Sequence, residues 1–252
     1  MKSAHAALSA SIEAKGVSVP AGTKLTDMPA LVEQIPSAPA QTDNANLYSD
    51  SARTSIDVPG VIYVDFTKAT NINACFLKCT ALTSLTLPEG FGTNAIYANS
   101  CFAFCSALTS LTLPEGFGKN VRNANFCFSQ CNALTSLTLP EGFGTNATAV
   151  NSCFAFCSAL TSLTLPEGFS QNMTTAFRIF YKCEAMTSLH LPSGFGQKVK
   201  PKFVGTFDGC LSLETITGNP VFNVSLNLSE SHKLTHDSIM VVINGLQTVT
   251  TT

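Results

Sequence analysis

The chain has 252 residues, 45% of them hydrophobic, and a formal net charge of -2. Charged residues make up 12%, about half of the ~25% that is usual for soluble proteins. No apolar run approaches the ~18 residues of a transmembrane helix, and the basic excess of a nucleic-acid-binding surface is missing. We therefore expect neither membrane insertion nor nucleic-acid binding.

The N-terminal region differs in character from the rest of the chain. Residues 1–35 predict a small helical module, with one helix ended by Gly16 and a second capped by Thr26 or Asp27. The first residues lack the apolar run of a signal peptide. Residues 36–55 are polar and rich in Pro and Ala, which predicts a linker.

An internal repeat dominates the chain beyond the linker. The segment ALTSLTLPEGFG and its variants occupy residues 81–92, 107–118, 133–144, 159–170, 185–196 and 212–222. The copies are 26 residues apart until the last one, which has one inserted residue. A period between about 20 and 50 residues indicates a solenoid, in which each repeat buries its apolar face against its neighbours. We predict an N-terminal capping repeat at 56–78 and a solenoid at 79–222.

Alignment of the copies gathers most Phe and all Cys into columns. Twelve of the 18 Phe are in two columns: Phe76, Phe102, Phe128, Phe154, Phe180 and Phe207, and Phe91, Phe117, Phe143, Phe169, Phe195 and Phe222. The ten Cys also form two columns: Cys79, Cys105, Cys131, Cys157, Cys183 and Cys210, and Cys75, Cys101, Cys127 and Cys153. We predict that these columns fill the core.

Each copy contains a short strand followed by a turn. The alternation in L-T-S-L-T-L directs Leu85 inward and Ser84 and Thr86 outward, and the P-E-G that follows turns the chain. Residues 100–107 predict one or two helical turns with Ser100 as the N-cap. The predicted fold is a β-rich α/β solenoid with short parallel strands on one face and short helical turns or loops on the other.

The C-terminal region, residues 223–252, predicts a capping helix and a tail. The segment LTHDSIMVVINGL indicates a helix that begins at Thr235 or Asp237 and closes the end of the solenoid. The tail QTVTTT ends without a stop signal, which is compatible with a longer natural protein.

The pattern x-F-x-x-C-x-x-L-x-x-L-x-L-P, as in CFAFCSALTSLTLP, resembles the BspA-like leucine-rich repeats of bacterial surface proteins over residues 62–222. The resemblance implies a right-handed solenoid, an extracellular or cell-surface location, and roles in adhesion and recognition. The N-terminal segment SIEAKGVSVPAGTKLTDMPALVEQI resembles modules of phage and prophage tail-associated proteins. It implies an alternative, virion-associated role.

The cysteines allow three interpretations. A zinc site is disfavoured because the C-x2-C spacing of zinc knuckles and neighbouring His residues are missing. Disulfides are disfavoured because columns ~4.8 Å apart exceed the ~3.8 Å Cβ separation of a bridge. Buried thiols that act as small apolar fillers beside Phe are the favoured interpretation.

The sequence shows no catalytic, cofactor-binding or metal-binding pattern. Glu89, Glu115, Glu141 and Glu167 form a column, but a single carboxylate per repeat is too few for a hard cation, so a solvated ridge is expected. His residues are scattered, and His190 replaces an outward Thr, so we expect it to face solvent. A nucleophile–base pair is not evident.

Two features are candidates for partner binding. The outward strand residues form a neutral hydroxyl-rich ribbon: Ser84, Thr86, Ser110, Thr112, Ser136, Thr138, Ser162, Thr164, Ser188 and His190. Short hydroxyls suit hydrogen bonds to a glycan or a polar protein surface, although Ser and Thr also simply suit an exposed strand.

The second feature is the loop that varies most between copies. It reads AIYANS, VRNANF, ATAVNS, MTTAFR and VKPKFVG in successive repeats. Toward the C-terminal half of the chain it gathers basic residues: Arg122, Arg178, Lys198, Lys200 and Lys202. Phe104 and Phe156 stand where other copies carry Lys or Gln, so we expect them to be exposed aromatics.

The sequence therefore predicts a non-enzymatic binding or adhesion protein that presents a repeat-built surface to a protein or glycan. The alternative is a phage or prophage tail-associated structural or receptor-binding protein.

Overall fold

The computed structural model describes residues 68–200, 203–223 and 226–246. The predicted helical module at 1–35 and the linker at 36–55 lie outside these residues. The described chain folds into short strands and a C-terminal helix: β1 (Ser84–Thr86), β2 (Ser110–Thr112), β3 (Ser162–Thr164), β4 (Ala176–Phe177), β5 (Ser188–Leu191), β6 (Phe203–Val204), β7 (Thr215–Gly218) and α1 (His236–Gly245).

The strands of the L-T-S-L-T-L segments stack in parallel and in register, which confirms the predicted strand face. Strand β1 pairs with β2, and β3, β5 and β7 form a three-stranded sheet. Equivalent residues lie opposite one another, as with Leu85 and Leu111 or Leu163 and Leu189. The register follows from the pattern, because a shift of one residue would turn every Leu from the core to solvent.

The strand face is interrupted between β2 and β3. The intervening copy at 133–144 contributes a single bridge, between Ser136 and Ser162, and joins neither sheet as a full strand. Its residues match those of the neighbouring copies, so nothing in the local sequence explains the interruption.

A second parallel ladder runs along the variable loops. Successive bridges join Asn71 to Tyr97, Tyr97 to Asn123 and Asn123 to Ala149. The ladder continues as strands β4 and β6, which pair in parallel. Adjacent repeats are therefore hydrogen-bonded at this second ladder as well as on the strand face.

The helical turns expected at residues 100–107 are not found. This stretch consists of turns, and Ser100 has a φ of 54°, which is incompatible with the extended backbone of an N-cap. Alternate amides instead donate to the next repeat, as from Ser100 to the carbonyl of Asn125 and from Phe102 to that of Cys127. A helix is about 10 Å wide, so it could not stack at the ~4.8 Å spacing of neighbouring strands.

The two Phe columns form the centre of the core. All twelve side chains are buried. Rings of the column that starts at Phe76 stack with centroids 5.2 to 5.8 Å apart. Those of the other column, from Phe91 to Phe169, are 5.8 to 6.2 Å apart. Each ring covers the one in the preceding turn, which is how a repeat buries a face that it could not bury alone.

The cysteines fill the space beside the Phe rings, as predicted. All ten are buried free thiols. The thiol of Cys105 donates to the backbone carbonyl of Phe76 at 3.1 Å, and that of Cys157 donates to the carbonyl of Phe128 at 3.2 Å. Burial raises the pKa of Cys157 to about 12, so this thiol stays protonated at neutral pH.

Helix α1 covers the last strand of the solenoid. Its N-cap is Thr235, whose hydroxyl accepts from the amide of Ser238. The Ser238 hydroxyl accepts from the amide of Ile216 in β7 at 3.0 Å and donates to the carbonyl of Glu214 at 3.0 Å. Backbone groups at the edge of β7 are thus satisfied by a side chain, which leaves fewer polar groups available for pairing with another strand.

Candidate binding surfaces

The ten residues of the predicted hydroxyl ribbon lie along the strand face. Ser188 and His190 are half-buried, and the other eight are exposed. His190 was expected to face solvent, but its Nδ1 lies 2.9 Å from the hydroxyl of Thr217 in β7. The ribbon therefore has its most open hydroxyls in the copies before residue 188.

The hydroxyls of the ribbon differ from those of the neighbouring Thr column. In that column Thr109 donates to the carbonyl of Thr83 at 2.9 Å, and Thr187 donates to that of Thr161 at 3.1 Å. Within the described chain, the hydroxyls of Thr138 and the other exposed ribbon residues have no protein hydrogen-bond partner. Their donors and acceptors are therefore available to water or to a ligand.

A cleft of about 330 Å³ opens on the ribbon where the strand ladder is interrupted. It is lined by Ser136, Leu137, Thr138, Leu139, Ser162, Thr164 and Pro166. Four of these residues are ribbon members, so part of the hydroxyl surface is concave. Concave surfaces with a few placed polar groups are the usual form of small-ligand sites.

The two predicted exposed aromatics have different environments. Phe104 is exposed, with the ammonium group of Lys78 5.9 Å from its ring centroid. Phe156 is half-buried because its ring packs edge-on against Tyr181 at 5.2 Å, with Lys182 5.6 Å from it. The prediction is correct for Phe104 and wrong for Phe156, since the Tyr181 ring in the following repeat covers it.

Sequence reasoning missed a ladder of asparagines. The side-chain carbonyl of Asn73 accepts from the amide of Asn99, that of Asn99 from Asn125, that of Asn125 from Asn151, and that of Asn151 from Phe177, at 2.6 to 3.2 Å. These bonds tie the variable loops together. Asn recurs at this one position in loops that otherwise differ, and that recurrence was the available signal.

The remaining candidate groups were the Glu column and the scattered residues that could bind a metal, as far as the described residues contain them. The four Glu of the predicted ridge are all exposed, which agrees with a solvated ridge. In the described part of the chain, no group of three or more His, Cys, Asp or Glu is placed to hold a metal ion. Nor does any helix in residues 68–200, 203–223 and 226–246 have the length and apolar character to cross a membrane.

Stacked parallel strands, a 26-residue repeat and continuous Phe columns define a leucine-rich repeat solenoid. The family model for the BspA type leucine rich repeat region matches residues 70–214 in six copies. The chain belongs to this family.

Two solved structures are similar to the chain. The leucine-rich repeat protein of T. pallidum is 19% identical with a TM-score of 0.54, and the match covers 70% of this chain and 77% of that one. This likeness supports the fold. A leucine-rich repeat protein of Bacteroides ovatus ATCC 8483 is 22% identical with a TM-score of 0.40, over 64% of this chain and 45% of that one. No curated protein matches the chain.

Proposed function

We propose that this protein is a non-enzymatic binding protein of the bacterial cell surface, and that its hydroxyl ribbon contacts a glycan or a polar protein. The proposal depends chiefly on one observation. The exposed hydroxyls of the ribbon have no protein partner within the described chain, whereas Thr109, Thr161 and Thr187 in the adjacent column donate to backbone carbonyls.

The cleft at the interrupted strand ladder is the preferred contact point. Here Thr138 and Thr164 lie beside Leu137 and Leu139 in one concave surface. A sugar ring or a polar side chain could place its hydrogen-bonding groups on the hydroxyls, because Leu137 and Leu139 are buried and expose little surface. The ribbon contains no Asp, Glu, Lys or Arg, so we expect affinity to depend only weakly on ionic strength.

The phage-tail alternative receives no support from the comparisons, because the matching family model describes a leucine-rich repeat region and names no phage protein. The matching family model describes a repeat region, which is consistent with a binding scaffold.

The test is a glycan and protein array probed with the full chain and with the double variant Thr138→Val/Thr164→Val. Val keeps the branched shape that suits a strand and removes the hydroxyl. We expect the double variant to lose about tenfold or more in affinity for any ligand of the wild type, because two hydrogen bonds are lost.

Thr161→Val is the matched control. Thr161 is exposed in the adjacent column, and its hydroxyl already donates to the carbonyl of Thr135 at 3.3 Å. We expect its ligand affinity to stay within about twofold of the wild type, since an intramolecular donor offers little to a ligand. Absence of any ligand at micromolar concentration, or equal losses in both variants, would refute the proposal.

A further inference from the structure

A second concave surface is formed by residues that follow the strand segment of each repeat by roughly half a repeat in the sequence. It is a groove of about 820 Å³ that crosses four successive turns of the solenoid. Its lining residues are Lys68, Thr70, Asn94, Ile96, Asn120, Arg122, Asn146 and Thr148. Because the turns stack ~4.8 Å apart, the groove is elongated along the stacking direction and suits an extended chain.

Asparagine amides along the groove have fixed orientations. Asn120 donates from Nδ2 to the carbonyl of Thr93 at 2.9 Å, and Asn146 donates to that of Lys119 at 3.0 Å. Each of these amides uses one N–H in this way, and both residues are exposed. The second N–H and the side-chain carbonyl remain for a ligand, and they recur once per turn.

The groove has a positive electrostatic bias. It contains Lys68 and Arg122, and the described residues that line it include no carboxylate. Arg122 is exposed and forms no ion pair with a carboxylate in the described part of the chain. A guanidinium of this kind suits paired hydrogen bonds to a carboxylate.

The groove also coincides with the sequence variation inside the repeat. Thr70, Ile96, Arg122 and Thr148 occupy one column with three different residue types, while the Phe and Cys columns beneath them are nearly uniform. Uniform columns satisfy the packing of the solenoid. Variation at these exposed or half-buried groove-lining positions changes the contact group along the groove, as a surface that recognises one particular polymer requires.

We propose that this groove binds an extended acidic polysaccharide, one whose sugars carry carboxylate groups. The repeated amides and the Thr70 hydroxyl would pair with sugar hydroxyls, and Arg122 with carboxylates, whereas the Thr148 hydroxyl already donates to the carbonyl of Arg122 at 3.3 Å. This site is separate from the hydroxyl ribbon and does not depend on the function proposed for it.

An acidic peptide fits the groove less well, because the backbone of the floor is already paired. Ile96 donates its amide to the carbonyl of Thr70, Arg122 to that of Ile96, and Thr148 to that of Arg122, at 2.7 to 3.0 Å. A peptide that binds as an added strand needs unpaired backbone groups at a sheet edge. A polysaccharide needs only side-chain partners, which the groove supplies in every turn.

The test measures binding of oligogalacturonates of increasing length to the full chain by calorimetry, at low and moderate ionic strength. Neutral cello-oligosaccharides and oligoglutamate peptides are the comparison ligands. We expect oligogalacturonate affinity to rise with length until the groove is filled and then to level off, and to fall as salt is added. Both comparison ligands should bind at least about tenfold more weakly.

Two variants separate the groove from general charge effects. Arg122→Ala should weaken oligogalacturonate binding about tenfold. Lys119→Ala is the matched control, because this substitution also removes one positive charge. Lys119 is exposed but does not line the groove. We expect less than a twofold change for this control.

Thr148→Trp tests the shape of the groove without a change of charge. Thr148 is exposed, so the fold should tolerate the larger side chain, which circular dichroism would verify, while the groove is obstructed and oligogalacturonate binding is lost. The proposal is overturned if oligogalacturonates do not bind, if Lys119→Ala weakens binding as much as Arg122→Ala, or if oligoglutamate binds equally well and shows the same Arg122 dependence.

Discussion

At the scale of single residues, the choice of amino acid is most restricted at the position directly after each Phe of the second column. Gly92, Gly118 and Gly144 occupy this position with φ near +70°. A Cβ at Gly144 would lie 2.9 Å from Cδ2 of Phe169, so both the backbone conformation and the neighbouring ring favour glycine. Ser170 breaks the column: it is fully buried with a φ of 49°, and its hydroxyl has no hydrogen-bond partner.

We predict that Ser170→Gly stabilises the protein by about 1 kcal/mol, because it removes a strained backbone conformation and an unsatisfied buried hydroxyl. The free energy of unfolding in urea is the measurement. The reverse change, Gly144→Ser, should destabilise the protein by at least as much. A lower stability for Ser170→Gly would show that its hydroxyl is satisfied, for example by a bound water.

The candidate site was predictable only in part at this scale. Alternation in the strand places Ser84 and Thr86 outward, and the structure shows them exposed. The sequence does not reveal which hydroxyls are already used, because Thr109 bonds to a carbonyl that is brought near by the stacking of a different repeat. The burial of Phe156 was not predicted for the same reason, because the Tyr181 ring that covers it belongs to the following repeat.

At the scale of the repeating elements, the cysteine columns couple stability to pH. Desolvation by burial raises the pKa of Cys157 and Cys210 to about 12 each, and raises those of Cys127 and Cys131 well above the ordinary value. Thiols in the unfolded chain ionise near pH ~8.5. The unfolded state therefore loses protons at a lower pH than the folded state does, and ionisation favours unfolding.

We predict that the folded state keeps its full thiol contribution below about pH 8.5 and loses stability as pH rises toward about 12. Each such thiol adds up to about 1.4 kcal/mol per pH unit to the slope. Urea denaturation under reducing conditions, over this alkaline range, measures the slope. Cys157→Ala should reduce it by roughly one thiol's share, while Lys and Tyr titrations affect both proteins alike. An identical slope in the two proteins would contradict this account.

The turns at residues 100–107 were the least predictable part of the fold. Apolar residues in the stretch around Phe102 and Cys105 have a spacing that also suits a helix, and periodicity alone could not exclude one. The distance between neighbouring repeats excludes a helix here. The ring centroids of Phe102 and Phe128, which lie in adjacent repeats, are 5.4 Å apart. At that spacing, extended segments and turns of neighbouring repeats can form hydrogen bonds with one another. A stack of helices cannot, because each helix is wider than the spacing between repeats.

At the scale of the whole described solenoid, the repeat period, the strand face and the core columns followed from the sequence. They did so because identical copies must pack against one another in identical ways. The interruption between β2 and β3 did not follow, since the copy at 133–144 is nearly identical to its neighbours. Near-identical copies with different pairing show that the local sequence of the repeat does not determine the interruption.

The central Leu column tests whether the repeats fold as one unit. Leu137 is 7% exposed. In the column of inward-facing strand leucines it stands between Leu111 and Leu163. Leu137→Asp would bury an unpaired carboxylate at a cost of several kcal/mol, against a total stability of about 5 to 15 kcal/mol. We predict a fall in the melting temperature of about 10 °C or more, measured by circular dichroism.

Two controls make this result interpretable. Leu137→Met keeps the apolar volume and should cost less than about 1.5 kcal/mol, and Thr138→Val changes only an exposed neighbour. If the repeats are coupled, Leu137→Asp shifts a single transition, because neighbouring turns lose their buried interface together. A separate early transition that involves only part of the signal would instead show that the interrupted strand ladder divides the solenoid into two units that unfold independently.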